Sequence, residues 1–402
     1  MMMLSRKYRL AAVAIAAMLT AGCGSELDGA AQPAEIDVRT LDVGKYSTDP
    51  LEVRYTYAPD LSNRTQLSMM RLAGNIAVGP EIDPRFTYSA TPIPVPYAHT
   101  ASRVLTPDAA AALDRNGLLF GYAARVSDKS FEKSGNPSTG STFIDLTVMQ
   151  FPDEETAARS AAETDAIDFA VAADANQPVI LSKYPGAHSH WRPGIATIGS
   201  TLAHGKYVVH LFIGVAEPQL DQLTALAEQV YAVQLPLLDT LPPLSREDML
   251  RLPYDPDGML RRTLNPNGLG APNVTSQAVF GLRGFLHQST DQGYWNRTMN
   301  DAGVDRYSIS DYTRLFRARD DGSARKLADV ALELSFPGAA AVPGGVPGSS
   351  CGEKTNSAGY SVKRFRCVLV YRQYVATVES DQLADAHQQA AAQYALLANS
   401  TW

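Results

Sequence analysis

Short apolar runs alternate with alanine-rich amphipathic stretches along this chain, and their order occurs twice. The segment "FIDLTVMQFPDEETAARSAAE" (143–163) predicts a strand, a stop at Pro152, an acidic first turn and a helix. "YTRLFRARDDGSARKLADVALEL" (312–334) repeats it, with Asp153, Glu154, Thr156 and Ala157 falling on Asp320, Asp321, Ser323 and Ala324 at a constant offset of 167. Both copies place acids where the positive end of a helix dipole favours them. Downstream, "YVVHLFIGVAEPQLDQLTALAEQVYAVQLPLL" (207–238) matches "VYRQYVATVESDQLADAHQQAAAQYALLA" (370–398) at an offset of 163, so that Val215 meets Val378, Leu220 meets Leu383 and Tyr231 meets Tyr394. Each predicts a β-branched and aromatic strand running into a helix, started by Glu217 and Pro218 in one copy and by Ser380 and Asp381 in the other. Leu220, Leu223, Ala227 and Val230 form one core stripe; Leu383, Ala386, Ala390 and Tyr394 form its counterpart.

A third correspondence lies upstream, where residues 110–126 and 295–312 each predict a helix, a glycine at the C-cap (Gly117 or Gly303) and a strand. The expected unit is therefore helix, strand, strand, helix, then two or more strands and a closing helix. Burying all these stripes calls for an α+β fold: two related sandwiches, each a mainly antiparallel sheet with helices packed on one face. The first domain is expected at 36–240, a linker at 241–248 containing Pro242 and Pro243, and the second domain at 249–402. Residues 336–360, rich in glycine and proline, are expected to be irregular. Residues 83–107, with five prolines, predict a stiff strap over a sheet edge, with the lining of a binding groove as the alternative.

The amino terminus breaks the pattern. Arg6, Lys7 and Arg9 precede an apolar stretch from Leu10 to Leu19, which predicts a secretory signal peptide over 1–22 and is too short to span a bilayer. Leu19, Thr20, Ala21, Gly22 and Cys23 resemble the lipobox of bacterial lipoproteins, with Thr20 where leucine is often found. That resemblance implies that Cys23 is diacylglycerylated and becomes the first residue of the mature chain, followed by a polar tether to about residue 35. Two or three acyl chains hold a protein at a membrane, whereas one binds only marginally.

Charge and cysteines narrow the setting. The chain has 35 basic and 42 acidic residues, and removing 1–22 takes net charge from −7 to −10, which argues against a nucleic-acid partner. Besides Cys23 there are only Cys351 and Cys367, a pair that in an exported chain reads as one disulfide.

The lipobox start, the "LDVGKYSTDP" opening at 41–50, the strand and helix at 143–163 and the paired cysteines of the C-terminal half resemble a family of uncharacterised actinobacterial lipoproteins made of two linked domains of unknown function. A looser similarity is to mycobacterial extracytoplasmic sensor-type domains. These resemblances imply a fold and a location at the outer face of the cell membrane, but no catalytic residue.

Candidate chemistry is sparse. His188, His190, His204 and His210 crowd into 23 residues, and the His188-Ser-His190 spacing occurs among metal ligands. No carboxylate is near them in sequence, and the offset of 163 puts Gln373 opposite His210, so solvated or core histidines are expected rather than a metal site. Ser130 and Lys133 of "SFEK" fit a Ser-x-x-Lys pattern, but they sit in a polar loop and lack the supporting motifs of that enzyme class. No cofactor is implied. The expected function is binding at the cell envelope, of a small apolar or envelope-derived ligand or a partner protein. The alternative is an envelope hydrolase whose site is assembled from distant residues, and a purely structural role stands third.

Overall fold

The computed structural model describes residues 36–52, 60–333, 336–354 and 363–400. Numbering α-helices of six residues or more, the first half runs α1 (Leu61–Ala73), β1 (Tyr88–Ser89), β2 (Ile93–Val95), α2 (Ala109–Arg115), β3 (Phe120–Ser127), β4 (Phe143–Gln150), α3 (Glu154–Ala170), β5 (Gln177–Val179), β6 (His188–Trp191), β7 (Thr197–His204), β8 (Tyr207–Gly214) and α4 (Leu220–Asp239). The second runs β9 (Gln277–Phe280), α5 (Leu282–His287), α6 (Gln292–Ala302), β10 (Arg306–Ser310), β11 (Thr313–Arg317), α7 (Asp321–Glu333), β12 (Gly338–Ala340), β13 (Ser350–Glu353), β14 (Phe365–Tyr371), β15 (Tyr374–Ser380) and α8 (Leu383–Asn399).

Two antiparallel sheets result, one per half, in the α+β arrangement the pattern predicts. The strand order β3-β4-β8-β7-β6-β5 in the first has its counterpart, strand for strand, in β10-β11-β15-β14-β13-β12 of the second. The local signals repeat as well. Asp153 Oδ1 accepts the Thr156 amide at 2.8 Å and Asp320 Oδ1 accepts the Ser323 amide at 2.7 Å, so both acids cap the crossover helix. Gly117 and Gly303, at φ +72° and +61°, end their helices in the left-handed conformation. Bonds from the Leu118 amide to Leu113 and from the Val304 amide to Met299 close the same C-terminal motif in each half.

Several details differ from the sequence expectation. The closing helices start later than Glu217–Pro218 and Ser380–Asp381 suggest, since their N-caps are Gln219 and Gln382, which keep the offset of 163. The stretch 336–360 is not wholly irregular: β12 and β13 lie within it, paired to each other and to β14, because an antiparallel ladder accepts small residues on a sheet edge. Helices also lie on both faces of each sheet rather than on one. Ala157 and Ala161 of α3 pack on Val208, whereas Tyr231 of α4 bonds to Ser200 on the other face, at 2.9 Å. In the second sheet Tyr394 of α8 meets Tyr371, and α7 reaches the opposite face through the Ala331 carbonyl and Arg366. A central sheet that is apolar on both faces needs two helical layers to exclude water.

The strap at 83–107 does cover an edge: its β1 and β2 pair along β3. Residues 41–46 pack on the closing helix of the second half, where Tyr46 joins Leu264, Ala392 and Leu396, and its hydroxyl donates to Asp385 at 2.6 Å. The segment after α4 is fastened down. Gln150 bonds both the carbonyl and the amide of Leu244, at 2.7 and 3.0 Å, and the Tyr207 hydroxyl donates to Leu241 at 3.0 Å. Val38–Trp402 forms one unit, with His287 Nε2 on the Ile76 carbonyl and Gln292 on the Gly79 amide tying the halves together.

Candidate functional site

Residues directly opposite each other on neighbouring strands share a face of the sheet. Arg314 on β11 pairs with Thr377 on β15, and Arg366 on β14 pairs with Glu379 on β15, so these four side chains stand on the face that α5, α6 and α7 cover. Glu379, only 5% exposed, draws both guanidiniums together: its Oε1 accepts from Arg314 Nη1 at 3.0 Å and from Arg366 Nε and Nη2 at 3.0 and 2.6 Å. Arg366 Nη1 donates to the Ala331 carbonyl of α7 at 2.9 Å. One carboxylate thus serves two guanidiniums, which stay ionised even when buried. Burial works against both charges. At Arg314 the neighbouring Tyr307 and Glu379 outweigh it and hold the pKa above the usual value, whereas at Arg366 burial prevails and lowers it.

Between this charged patch and the helices lies a cavity of about 220 Å³. Its apolar wall is Phe285, Trp295, Met299, Phe316 and Leu327, its charged wall holds Arg314 and Arg366 beside Thr377, and Gln288, Ser289 and Thr290 after α5 add further polar lining. The Phe285 ring meets Trp295 and Phe316 edge-on, at 5.8 and 5.4 Å, which stiffens the aromatic wall. Thr377 is 3% exposed and its hydroxyl has no hydrogen-bond partner. Buried hydroxyls almost always find one.

The corresponding place in the first half is built from other residues. His190 on β6 lies between two carboxylates of α3, with Nδ1 2.8 Å from Asp165 and Nε2 3.3 Å from Asp168. Asp165 and Asp168 are one helical turn apart and so project together. Burial opposes the imidazolium, but the hydrogen bonds to Asp165 and Asp168 prevail and raise the His190 pKa to about 9. The bond to His190 correspondingly lowers the pKa of Asp168, which also accepts from the Thr106 hydroxyl. Beside it Thr201 Oγ1 and His210 Nδ1 are 2.9 Å apart, and burial pushes His210 down to about 4, leaving it neutral.

The sequence was compared with known families and structures. A model described as "Domain of unknown function (DUF7373) N-terminal" matches residues 55–254, and one described as "Domain of unknown function (DUF7373) C-terminal" matches residues 259–400. The chain belongs to the DUF7373 family. No curated protein matches it. Among solved structures, the extracellular domain of PknH from Mycobacterium tuberculosis is similar at a TM-score of 0.30 and 10% identity, over 45% of this chain and 98% of that one. Similarity that slight says nothing of what a DUF7373 protein binds.

Of the four crowded histidines of this DUF7373 chain, only His190 and His210 share a corner. His188 is exposed on β6, and His204 pairs with Asp239 at 2.6 Å. The carboxylates that sequence proximity failed to supply come from α3. Gln373 is not the counterpart of His210: the hairpin register makes Tyr207 equivalent to Tyr374, so Thr377 takes that place, the offset being 167 up to the end of the strand and 163 in the helix. Ser130 and Lys133 are exposed in a loop. Cys351 and Cys367 lie opposite each other on β13 and β14 with Cα atoms 4.1 Å apart, a disulfide-compatible placement. Cys23 lies outside the described residues. Arg314, Arg366, Glu379 and Thr377 escaped the motif search, although charged residues inside the apolar strands "TRLFR", "FRCVLVY" and "YVATVES" were the available signal.

Proposed function

We propose that this DUF7373 protein is an actinobacterial lipoprotein, anchored through an acylated Cys23 to the outer face of the cell membrane, and that it works as a ligand-binding module of the envelope. The observation that carries the binding reading is the cavity over the second sheet, where an aromatic wall faces two arginines. A concave, mainly apolar site with a few convergent polar groups is the usual form of a small-molecule site. For the anchor, the support is the charged, apolar and small-residue order ending at Cys23. Among the described residues no helix is long and apolar enough to cross a membrane.

Among the described residues the hydrolase alternative has one geometric foothold, the Thr201–His210 hydrogen bond. Both residues are enclosed, at 1% and 6% exposure, and the nearby acids Asp165 and Asp168 are engaged by His190. A nucleophile in that position reaches no substrate unless the sheet and α3 part. Two measurements test the main reading. The protein from its own host should enter the detergent phase on phase separation, and a Cys23→Ser variant should stay aqueous. Native mass spectrometry of that soluble variant should show a co-purified small molecule that is lost when the cavity wall is filled by Leu327→Trp. A bare mass with an aqueous wild type would refute both halves.

A further inference from the structure

The cavity's charge specifies what it takes. Three charged side chains meet at its polar wall, two positive and one negative, and Glu379 Oε1 is already the acceptor for three N–H groups. Arg366 is committed on three sides, to Glu379 twice and to the Ala331 carbonyl. Arg314 is held by Glu379 through Nη1 and neighboured by Tyr307, retains 30% of its side-chain surface and lines the cavity together with Thr377, whose buried hydroxyl has no partner. Two guanidiniums against one carboxylate leave one net positive charge beside an aromatic wall, and a partly desolvated charge of that kind favours an incoming anion. Phe285, Trp295 and Leu327 contribute only the indole N–H as a polar group, and Gln288, Ser289 and Thr290 complete the lining on the helical side.

We propose that the cavity binds a small amphipathic monoanion: a carboxylate head on Arg314 and the Thr377 hydroxyl, with an aromatic or short aliphatic body against Phe285, Trp295 and Leu327. This inference rests on the binding reading above. A guanidinium fork matches a carboxylate in two parallel hydrogen bonds, which makes Arg314 the orienting residue. The volume of about 220 Å³ lies below the ~300–1,000 Å³ of drug-sized sites. The occupant is therefore either a small free acid or the head and first carbons of a longer one.

Calorimetric titration of the full mature chain carrying Cys23→Ser tests this, with benzoate, phenylacetate and hexanoate as probes, each beside its uncharged amide. At least one acid should bind, and its amide should bind tenfold or more weakly. Arg314→Met leaves the Arg366–Glu379 pair one to one, so the fold should survive; it should weaken the acid tenfold or more and the amide much less. Thr377→Val, which removes only the hydroxyl, should weaken the acid a few-fold. Laurate binding better than hexanoate would identify the occupant as a long-chain acid with its tail outside; equal binding would identify a small free acid. If the amide matches its acid, the anion assignment is wrong while the binding reading stands. Inorganic phosphate binding as well as the acids would reduce the site to a bare oxyanion hole and overturn the amphiphile. If no acid or amide binds, the cavity is not a ligand site and both readings fall.

Discussion

Two corners of this molecule occupy equivalent positions in one repeated unit and carry opposite charge. In the first half a single cation, His190, lies between Asp165 and Asp168; in the second, Arg314 and Arg366 share Glu379. The strands even exchange roles. His190 on β6 faces Gly199 on β7, whereas Gly352 on β13 faces Arg366 on β14. One register step away, the Ser189–Ser200 hydrogen bond of 2.7 Å stands where Cys351 meets Cys367. The first corner is filled by its own side chains: Thr106 bonds the surplus acid and the Phe169 ring meets His190 edge-on at 5.6 Å. The second opens on a cavity. A duplicated backbone ladder thus supports both an ion cluster filled by neighbouring side chains and a charged patch bordering a cavity, because the ladder constrains which positions face inward but not what they carry.

The largest expected effect comes from breaking the first corner. His190→Ala leaves two carboxylates facing each other without a cation and should cost about 3–5 kcal/mol in urea denaturation, part of it recovered by adding Asp168→Asn. A loss under about 1 kcal/mol would mean that water reaches the cluster and that the contrast with the second corner is false. Next, a Cys351→Ser/Cys367→Ser double variant should lose about 3 kcal/mol as the closed loop of the unfolded chain is released. If the two serines bond as Ser189 and Ser200 do, about 1 kcal/mol of that should be offset.

Glu379→Gln should cost less than His190→Ala, about 1–3 kcal/mol, since the two arginines it frees border a cavity that anions can enter. Adding a carboxylate probe should then raise its melting temperature more than that of the wild type. A Glu379→Gln loss larger than that of His190→Ala would invert the comparison. The comparison also has a pH dependence. Between about 6.5 and 9 the folded state keeps a proton on His190 that the unfolded chain releases, so stability falls as pH rises through that window. Burial lowers His210 and His287 to about 4, so between 4 and 6.5 the unfolded chain binds more protons and stability falls as pH drops. The melting temperature should therefore peak near pH 6.5, and His190→Gln should flatten only the alkaline side.

Much of the fold was legible because its signals are local. Asp153 and Asp320 as caps, Gly117 and Gly303 as left-handed stops and the paired stripes of α4 and α8 each depend on residues within a turn or two, so an internal repeat shows them twice. The candidate site was legible only in part. His190 and His210 attracted notice as residue types, but the acids that define His190 lie on a helix 22 and 25 positions earlier in the chain. Arg314, Arg366 and Glu379 sit singly in three strands, and nothing local indicates that one carboxylate gathers both arginines.

By itself, the sequence determined which stretches become strands and helices, where helices start and stop, and that one unit is used twice, because those outcomes follow from backbone sterics, capping and apolar period. Only the tertiary structure decided which charges meet, that helices cover both faces of each sheet and that one corner is filled by its own side chains while the other borders a cavity. Those outcomes depend on strand register, where a shift of one residue sends every side chain to the opposite face.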